Sequence, residues 1–418
     1  MPLPRFPWKT LRVPVWTVNP VQPTGFFGVK KGSFGNAVGG GNPFVQVGNV
    51  DSLLTHKPSC FIYPDGNKVA GCGNVRRNFR LDRQRNKLLL LGLTLLLVIE
   101  GARPSMAWAA ESAKSGTLSV VLENDAFHGM DQHYTNGLML IWVPGRDAPT
   151  PKWAMMMARL MMCSPEQGEI RHGYAFGQSM FTPSDIDMAN PPLRDRPYAG
   201  WLYGTIGLGV EAGRHLDQFW ITLGMVGPAS LAEQTQKFAH RVLPGDEPQG
   251  WDTQLGNEPG IVVTYQRSWR GVATATLSGA ELDCTPHIGG ALGNVYTYGN
   301  AGVTIRYGKR LPNDYGPPRI QPGLPGSGVF SPVSNFDWYV FAGIDGRAVA
   351  RNIFLDGNTF CDSRSVDKIP LIGDLQFGLV LHWPVMRLSY THVLRTREFQ
   401  TQQASKDYFG SLSVSVMF

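Results

Sequence analysis

Several short polar clusters in this 418-residue chain carry groups that could act on an ester. Glu123-Asn124-Asp125 is followed by Tyr134-Thr135-Asn136-Gly137, then by Ser184 and by Asp195-Arg196. Further on, Ser230 to Leu243 (SLAEQTQKFAHRVL) places Glu233, Gln236 and His240 at i, i+3 and i+7, on one face of a helix. A neutral histidine acts as a general base near pH 7. Asp125, with Asn124 and backbone carbonyls, offers the hard oxygen ligands that Ca²⁺ takes. A cation held near a base can stabilise the oxyanion of ester cleavage. Each residue also has a plainer reading. Asn124-Asp125 fits a tight turn, His240 a surface histidine, Thr135 a strand position at a bulge, and Asp195-Arg196 a rim ion pair of small energy. No Gly-x-Ser-x-Gly elbow occurs, which disfavours a serine hydrolase.

The elements that must position these groups are short strands. The terminus Ser411-Leu412-Ser413-Val414-Ser415-Val416-Met417-Phe418 sets Leu412, Val414, Val416 and Phe418 on one face and three serines on the other. A strand with lipid outside and a polar lumen inside needs that period of two. Strands are expected near 117–124, 134–143, 172–180, 200–213, 215–226, 261–270, 274–293, 298–308, 336–350, 368–383, 385–397 and 408–418. These are twelve, the even number that a closed bacterial barrel requires. The fold expected is all-β: a twelve-stranded antiparallel transmembrane β-barrel with a short helix in a surface loop. In an up-and-down meander, Asn124, Asp125, Thr135, Ser184, Asp195, Arg196, Gln236 and His240 fall at one rim. Pro228 stops the strand before the helix, and Ser230 with Glu233 spells a capping box. Aromatics near strand ends, among them Trp142, Trp201, Tyr203, Trp220, Trp269, Trp338 and Tyr339, are expected to form interface girdles. The Met-rich run Trp153 to Met162 is expected to be a loop helix packed on the rim.

Charge points the same way. The chain holds 38 Lys/Arg and 32 Asp/Glu, net +6. Residues 1–110 hold 14 and 4 of these, leaving 24 and 28 for residues 111–418, so the body of the chain is net −4. The excess is concentrated in a basic run, Arg76 to Lys87, that precedes the apolar Leu88 to Ile99 and the small-residue stretch around Ala107 to Ala110. That order is a signal peptide over 75–110. Residues 1–74 read as a disordered extension from a mis-assigned start, and 111–418 as the barrel domain. The later chain has no basic patch interleaved with aromatics, so no nucleic-acid partner is expected. Cys163, Cys284 and Cys361 are an odd set that cannot all pair within the chain.

Taken together, Glu123-Asn124-Asp125, Tyr134-Thr135-Asn136-Gly137 and Asp195-Arg196-Pro197-Tyr198-Ala199-Gly200-Trp201-Leu202-Tyr203 resemble the outer-membrane lipid A 3′-O-deacylases. Val226-Gly227-Pro228, Gln236 to His240, Gly250-Trp251-Asp252-Thr253-Gln254-Leu255, Asn257-Glu258, Leu355-Asp356-Gly357-Asn358 and Thr396-Arg397-Glu398-Phe399 extend the resemblance over about 115–418. The resemblance implies a twelve-stranded barrel in the bacterial outer membrane that removes the 3′-linked acyl chains of lipid A by Ca²⁺-dependent ester hydrolysis. It makes His240 the general base and Asp125, with Asn124, the holder of Ca²⁺. Thr135 would support the site, and Gln236 would share the face of the base. One position departs: Met188 stands where the family has a lysine, and Arg194 or Arg196 would have to supply the cation. Ser184, Arg194 and Arg196 are the candidate substrate contacts. The partners implied are lipopolysaccharide and, through Phe418, the barrel assembly machinery. The rival expectations are a non-catalytic barrel, such as a porin or inactive homologue, and an outer-membrane phospholipase.

Overall fold

Alternating residues leave a strand two unlike faces, and closing the sheet gives each face its own solvent. The computed structural model describes residues 116–125, 133–160, 168–242, 247–320 and 333–418. The expected extension and signal peptide lie outside the described residues. The wall is built from β1 (Gly116–Asn124), β2 (His133–Pro144), β3 (Glu169–Thr182), β4 (Ala199–Ala212), β5 (His215–Val226) and β6 (Glu258–Trp269). After a short β7 (Ala273–Leu277) it continues as β8 (Ala280–Gly293), β9 (Tyr296–Gly308), β10 (Asp337–Asn352), β11 (Leu371–His382), β12 (Met386–Thr396) and β13 (Lys406–Met417). Neighbours pair antiparallel, β1 with β13 and β6 with β8, so twelve strands close the sheet. Closure pairs the backbone groups that would otherwise be edges in hydrocarbon.

The twelve wall strands agree with the expected number, with one internal correction. The run 274–293 is not one strand but the β7–β8 hairpin. Ser278 and Gly279 both take positive φ (52° and 79°), the geometry of a two-residue hairpin turn, and Leu277 pairs with Ala280. Here β7 pairs only with β8, alongside the stretch of β8 that β6 does not reach.

The alternation assigns the faces. On β13, Ser411, Ser413 and Ser415 are buried, and Ser413 and Ser415 bond Ser389 (2.6 Å) and Ser119 (2.7 Å). On β10, Trp338, Val340 and Ile344 face outward while Tyr339, Asp345 and Arg347 face in. The girdle expectation needs correcting for Trp201, Tyr203, Trp220 and Tyr339. Trp201, Tyr203 and Tyr339 are buried inside the barrel, and Trp220 lies against Gly207, whose added Cβ would strike the indole. Trp269 and Trp338 do face outward. Helix α1 (Lys152–Leu160) packs Ala154 and Ala158 against Leu208 and Val210 of β4, as the Met-rich run suggests. Among the described residues no helix is long and apolar enough to cross a membrane.

A buried segment of the chain crosses the lumen. Residues 314–320, in the long connection from β9 to β10, are all buried. Asp314 is held by Arg306 of β9 (2.7 Å) and Arg387 of β12 (2.9 Å), near the rim where the chain ends. Toward the other rim, Arg319 binds Glu123 of β1 (2.6 Å) and Gln376 of β11 (2.6 Å). Further buried pairs, Arg347–Asp374, Arg395–Asp374 and His287–Asp345, join neighbouring or next-neighbouring strands on the same inward face. A buried charge persists only when paired and hydrogen-bonded, so this strap is fixed at both ends. Reconstituted into planar bilayers, the barrel is expected to give no steady conductance. Discrete, ion-selective openings would contradict a strapped lumen and support a porin.

Candidate active site

The rim opposite the chain terminus gathers the ends of β1, β3 and β5 and the loops that follow them. After β5 comes a single 3₁₀ turn, Pro228–Ser230, and then helix α2 (Ala232–Val242). The expected capping box does not form. Leu231, in the left-handed region at φ 58°, intervenes between Ser230 and the helix. Glu233 turns forward to Lys237 (2.6 Å) instead of back to a cap. Thr235 Oγ1 donates to the Leu231 carbonyl at 3.0 Å.

What fixes α2 is close approach to the wall. The helix packs on β3 and β4, and Gly200 of β4 sits directly beneath its start. A Cβ at Gly200 would collide with Ser230 Oγ and Ala232 Cβ. Gln178 of β3 donates to the Ser230 carbonyl at 2.6 Å. On the helix, Ala232 and Gln236 are buried and His240 is partly buried one turn later. Trp251 Nε1 donates to Gln236 Oε1 at 2.7 Å, and Trp251 in turn packs on Tyr198 (ring centroids 4.9 Å). Gly200→Val is therefore expected to leave a folded barrel with α2 displaced. A shift of about 1 Å can cost 10²-fold in rate, so a reaction carried out at this rim should slow by about that factor, as a turnover assay would read.

The other expected site residues divide into those at the rim and those beneath it. Asn124 ends β1 opposite Asn136 of β2, and Asp125, next in the chain, is buried. Thr135 sits at the bulge of β2 and shares a 2.6 Å hydrogen bond with Thr182 of β3. Ser184 is tied within its own loop, its backbone N–H donating to Asp195 Oδ2 (2.9 Å) and its hydroxyl to Oδ1 (3.2 Å). Arg194 is exposed, and Met188 is also exposed. Arg196 does not meet the expectation of a surface contact. Its side chain is 1% exposed, 2.6 Å from Glu398, between the rings of Phe181 and Phe399. A guanidinium so placed joins two loops and leaves Arg194 as the exposed cation nearest Met188 in the chain.

Two contributors, Trp251 and Glu398, lie in motifs that carry the resemblance, yet nothing in their spacing reveals what they hold. Burial alone would raise the Glu398 carboxyl, but Arg196 and Arg395 outweigh it and keep the group below the usual carboxylate value. A carboxylate depressed in the folded state contributes stability that is complete above its unfolded value, about 4.3, and is lost as pH falls through the folded value. Hydrogen-exchange protection in the loops 183–198 and 397–405, corrected for the intrinsic pH dependence of exchange, should thus be constant from neutral pH to about 5 and fall only below about 4.3. Loosening between pH 7 and 5 would contradict the pair.

The comparisons with known proteins agree with this architecture. A family model described as outer membrane protein LpxR matches residues 89–418. Among solved structures, LpxR from Salmonella typhimurium is 17% identical with a TM-score of 0.58, covering 72% of this chain and 100% of its own. At that identity the likeness shows the fold. The β-domain of the Bordetella autotransporter BrkA is 9% identical, covering 73% of this chain and 99% of its own, with a TM-score of 0.36 too low to carry an argument. No curated protein sequence matches. A closed barrel of this form, matched by the family model over most of its length, is an outer-membrane protein, and the chain belongs to the LpxR family.

Proposed function

We propose that the protein hydrolyses the 3′-O-linked acyl ester of lipid A, with Ca²⁺ as cofactor, at the extracellular rim of the barrel. The observation that carries this reading is the clamping of α2. A polar helix is seated on the wall over Gly200 and Gln178 and tied to the loop before β6 by the buried Gln236–Trp251 bond, which holds His240 on the rim where β1 and β2 present Asn124, Asp125 and Thr135. In the reaction His240 takes a proton from water as the water oxygen attacks the ester carbonyl. The tetrahedral intermediate collapses, the sugar oxygen leaves, and His240 returns the proton to it. The products are a fatty acid, which loses its proton to solvent as the carboxylate, and a 3′-hydroxyl on lipid A. Gln236 orients the helix, Thr135 braces β2 against Thr182, and Ser184 and Arg194 lie where the headgroup passes. The acyl chains rest along the outward apolar face, and Phe418, stacked on Trp142 (5.3 Å), serves the assembly machinery as the terminal aromatic.

The donors at the end of β1 fit Ca²⁺ as a site of low ligand charge. Asp125 supplies one buried carboxylate (3% exposed) and Asn124 an amide oxygen. Among the described residues no group of three or more His, Cys, Asp or Glu converges that could hold a metal. The remaining ligands would be backbone carbonyls and water, which Ca²⁺ accepts. Ca²⁺ bound there supplies positive charge against the developing oxyanion. Purified barrel given lipid A should release the acyl chain in Ca²⁺, stop in EGTA and recover when Ca²⁺ is restored. Equal release in EGTA would remove the metal from the account, and no release in either condition would remove the hydrolysis.

A further inference from the structure

The strap that fills part of the lumen leaves a chamber beside it, on the β2–β6 side. Its volume is about 210 Å³, larger than the engineered apolar cavity of about 150 Å³ that takes up benzene. The rings of Trp201, Tyr203, Trp220, Tyr296, Tyr298 and Tyr315 are among its lining. Met139, Ile141, Leu216 and Val262 fill the wall between them. The chamber is long and narrow. On β4 alone its lining runs from Glu211 to Trp201, ten residue steps, or roughly 33 Å at about 3.3 Å per residue. So small a volume spread over that length has the shape of a chain, not of a compact solute.

The two ends differ. Toward the site rim the chamber meets packed side chains, with Phe181 stacked on Phe354 (4.0 Å) and Trp201 beside both Phe354 and Tyr296. Toward the terminal rim it reaches Arg146, Arg171, Glu169 and Glu211. There Arg146 and Arg171 share one carboxylate, Glu169, at 3.4 and 3.3 Å, while Glu211 is taken by Arg270 at 2.9 Å. Asp314 also lines the chamber but is held between Arg306 and Arg387, so the guanidinium groups toward this end, Arg146, Arg171, Arg270, Arg306 and Arg387, outnumber the carboxylates they bind, Glu169, Glu211, Asp283 and Asp314. Deeper in, the indole N–H of Trp201 is buried with no hydrogen-bond acceptor.

We propose that this lumenal chamber is a binding site for a single-chain fatty carboxylate, entering from the terminal rim. The chain lies along the aromatic lining and the carboxylate rests against Arg171 and Arg146. The site is separate from the catalytic rim and the inference does not depend on the proposed hydrolysis. Apolar burial drives the chain inward, at about 25 cal/mol per Å² of surface removed from water, and a guanidinium matches a carboxylate in planar, two-point geometry.

The test is photolabelling. The full chain, folded in nanodiscs of neutral phosphatidylcholine, is irradiated with a diazirine-bearing dodecanoate, and adducts are mapped by peptide mass spectrometry. Adducts are expected on inward residues such as Met139, Ile141 and Tyr298, suppressed by excess dodecanoate and not by dodecyltrimethylammonium. Arg171→Glu should reduce inward labelling at least five-fold, by about the discrimination one lost charge-assisted contact provides. Arg146→Glu lies beyond the end of β2 and gives a second reading if Arg171→Glu fails to fold. Adducts confined to outward residues such as Leu138, Leu140 and Ile206 would overturn the proposal. Inward labelling unchanged by either arginine variant, or suppressed equally by the cationic amphiphile, would overturn it too.

Discussion

Replacing His240 by alanine is expected to cut lipid A deacylation by about 10²–10⁴-fold, the usual contribution of a positioned general base, while the barrel still folds. The fold should survive because the contacts that hold α2 are elsewhere. Ala232 meets the space over Gly200, Gln178 binds the Ser230 carbonyl, and Gln236 is bonded to Trp251. His240 extends from that clamped turn and is only partly buried. Gln236→Ala should act differently. It removes the acceptor for a buried indole N–H, so it should lower both activity and the thermal stability of the loop. The two variants are told apart by turnover and by the heat-modifiable migration of folded barrels in gels. Unchanged turnover in His240→Ala would move the base to another residue, and loss of the folded band would make His240 structural.

The second large effect is expected at Glu398. Glu398→Ala should destabilise the barrel by about 3–5 kcal/mol, the usual result of removing one partner from a buried ion pair. The reason is what it leaves behind. Arg196 Nε and Nη1 have no hydrogen-bond partner, its Nη2 bonds Glu398 at 2.6 Å, and the flanking groups are the Phe181 and Phe399 rings. Arg395 lies 3.6 Å from Glu398 and already serves Asp374. A charge stranded there must ionise against a low dielectric or pull its loop toward water. Urea unfolding in bilayers would show the lower midpoint. Arg196→Met with Glu398→Leu should recover much of the loss, because replacing both charges by apolar groups avoids the desolvation cost. A single mutant as stable as the parent would show that the pair contributes nothing.

Much of the wall was legible from period two alone. The serine face of β13 and the apolar face bearing Leu412, Val414 and Val416 fall inside and outside the barrel as the alternation requires. The hairpin at Ser278-Gly279 was missed because a two-residue turn interrupts the alternation by an even number, so both halves read as one strand. Aromatic type near a strand end suggested girdles, but the face depends on parity. Trp201 and Tyr203 share the inward face of β4, opposite Leu202 and Ile206. The strap 314–320 carries no period at all. Its position depends on Arg306, eight residues before Asp314, and on Arg387 and Glu123 from strands far away in the chain. At the site, residue types and rim placement were readable for His240, Asn124, Asp125 and Thr135. The inward turn of Arg196 was not, since its partner lies 202 positions along the chain.

Removal of an acyl chain from lipid A by this barrel is read in mass spectra of lipid A from cells making the protein. The lipid A of matched cells carrying an empty vector provides the reference, and glycerophospholipids from both are measured alongside. The expected spectrum shows lipid A reduced by the mass of its 3′-linked acyl substituent, with glycerophospholipids unchanged. Lipid A of unaltered mass, from cells in which the folded barrel is present in the outer membrane with Ca²⁺ supplied, would contradict the account.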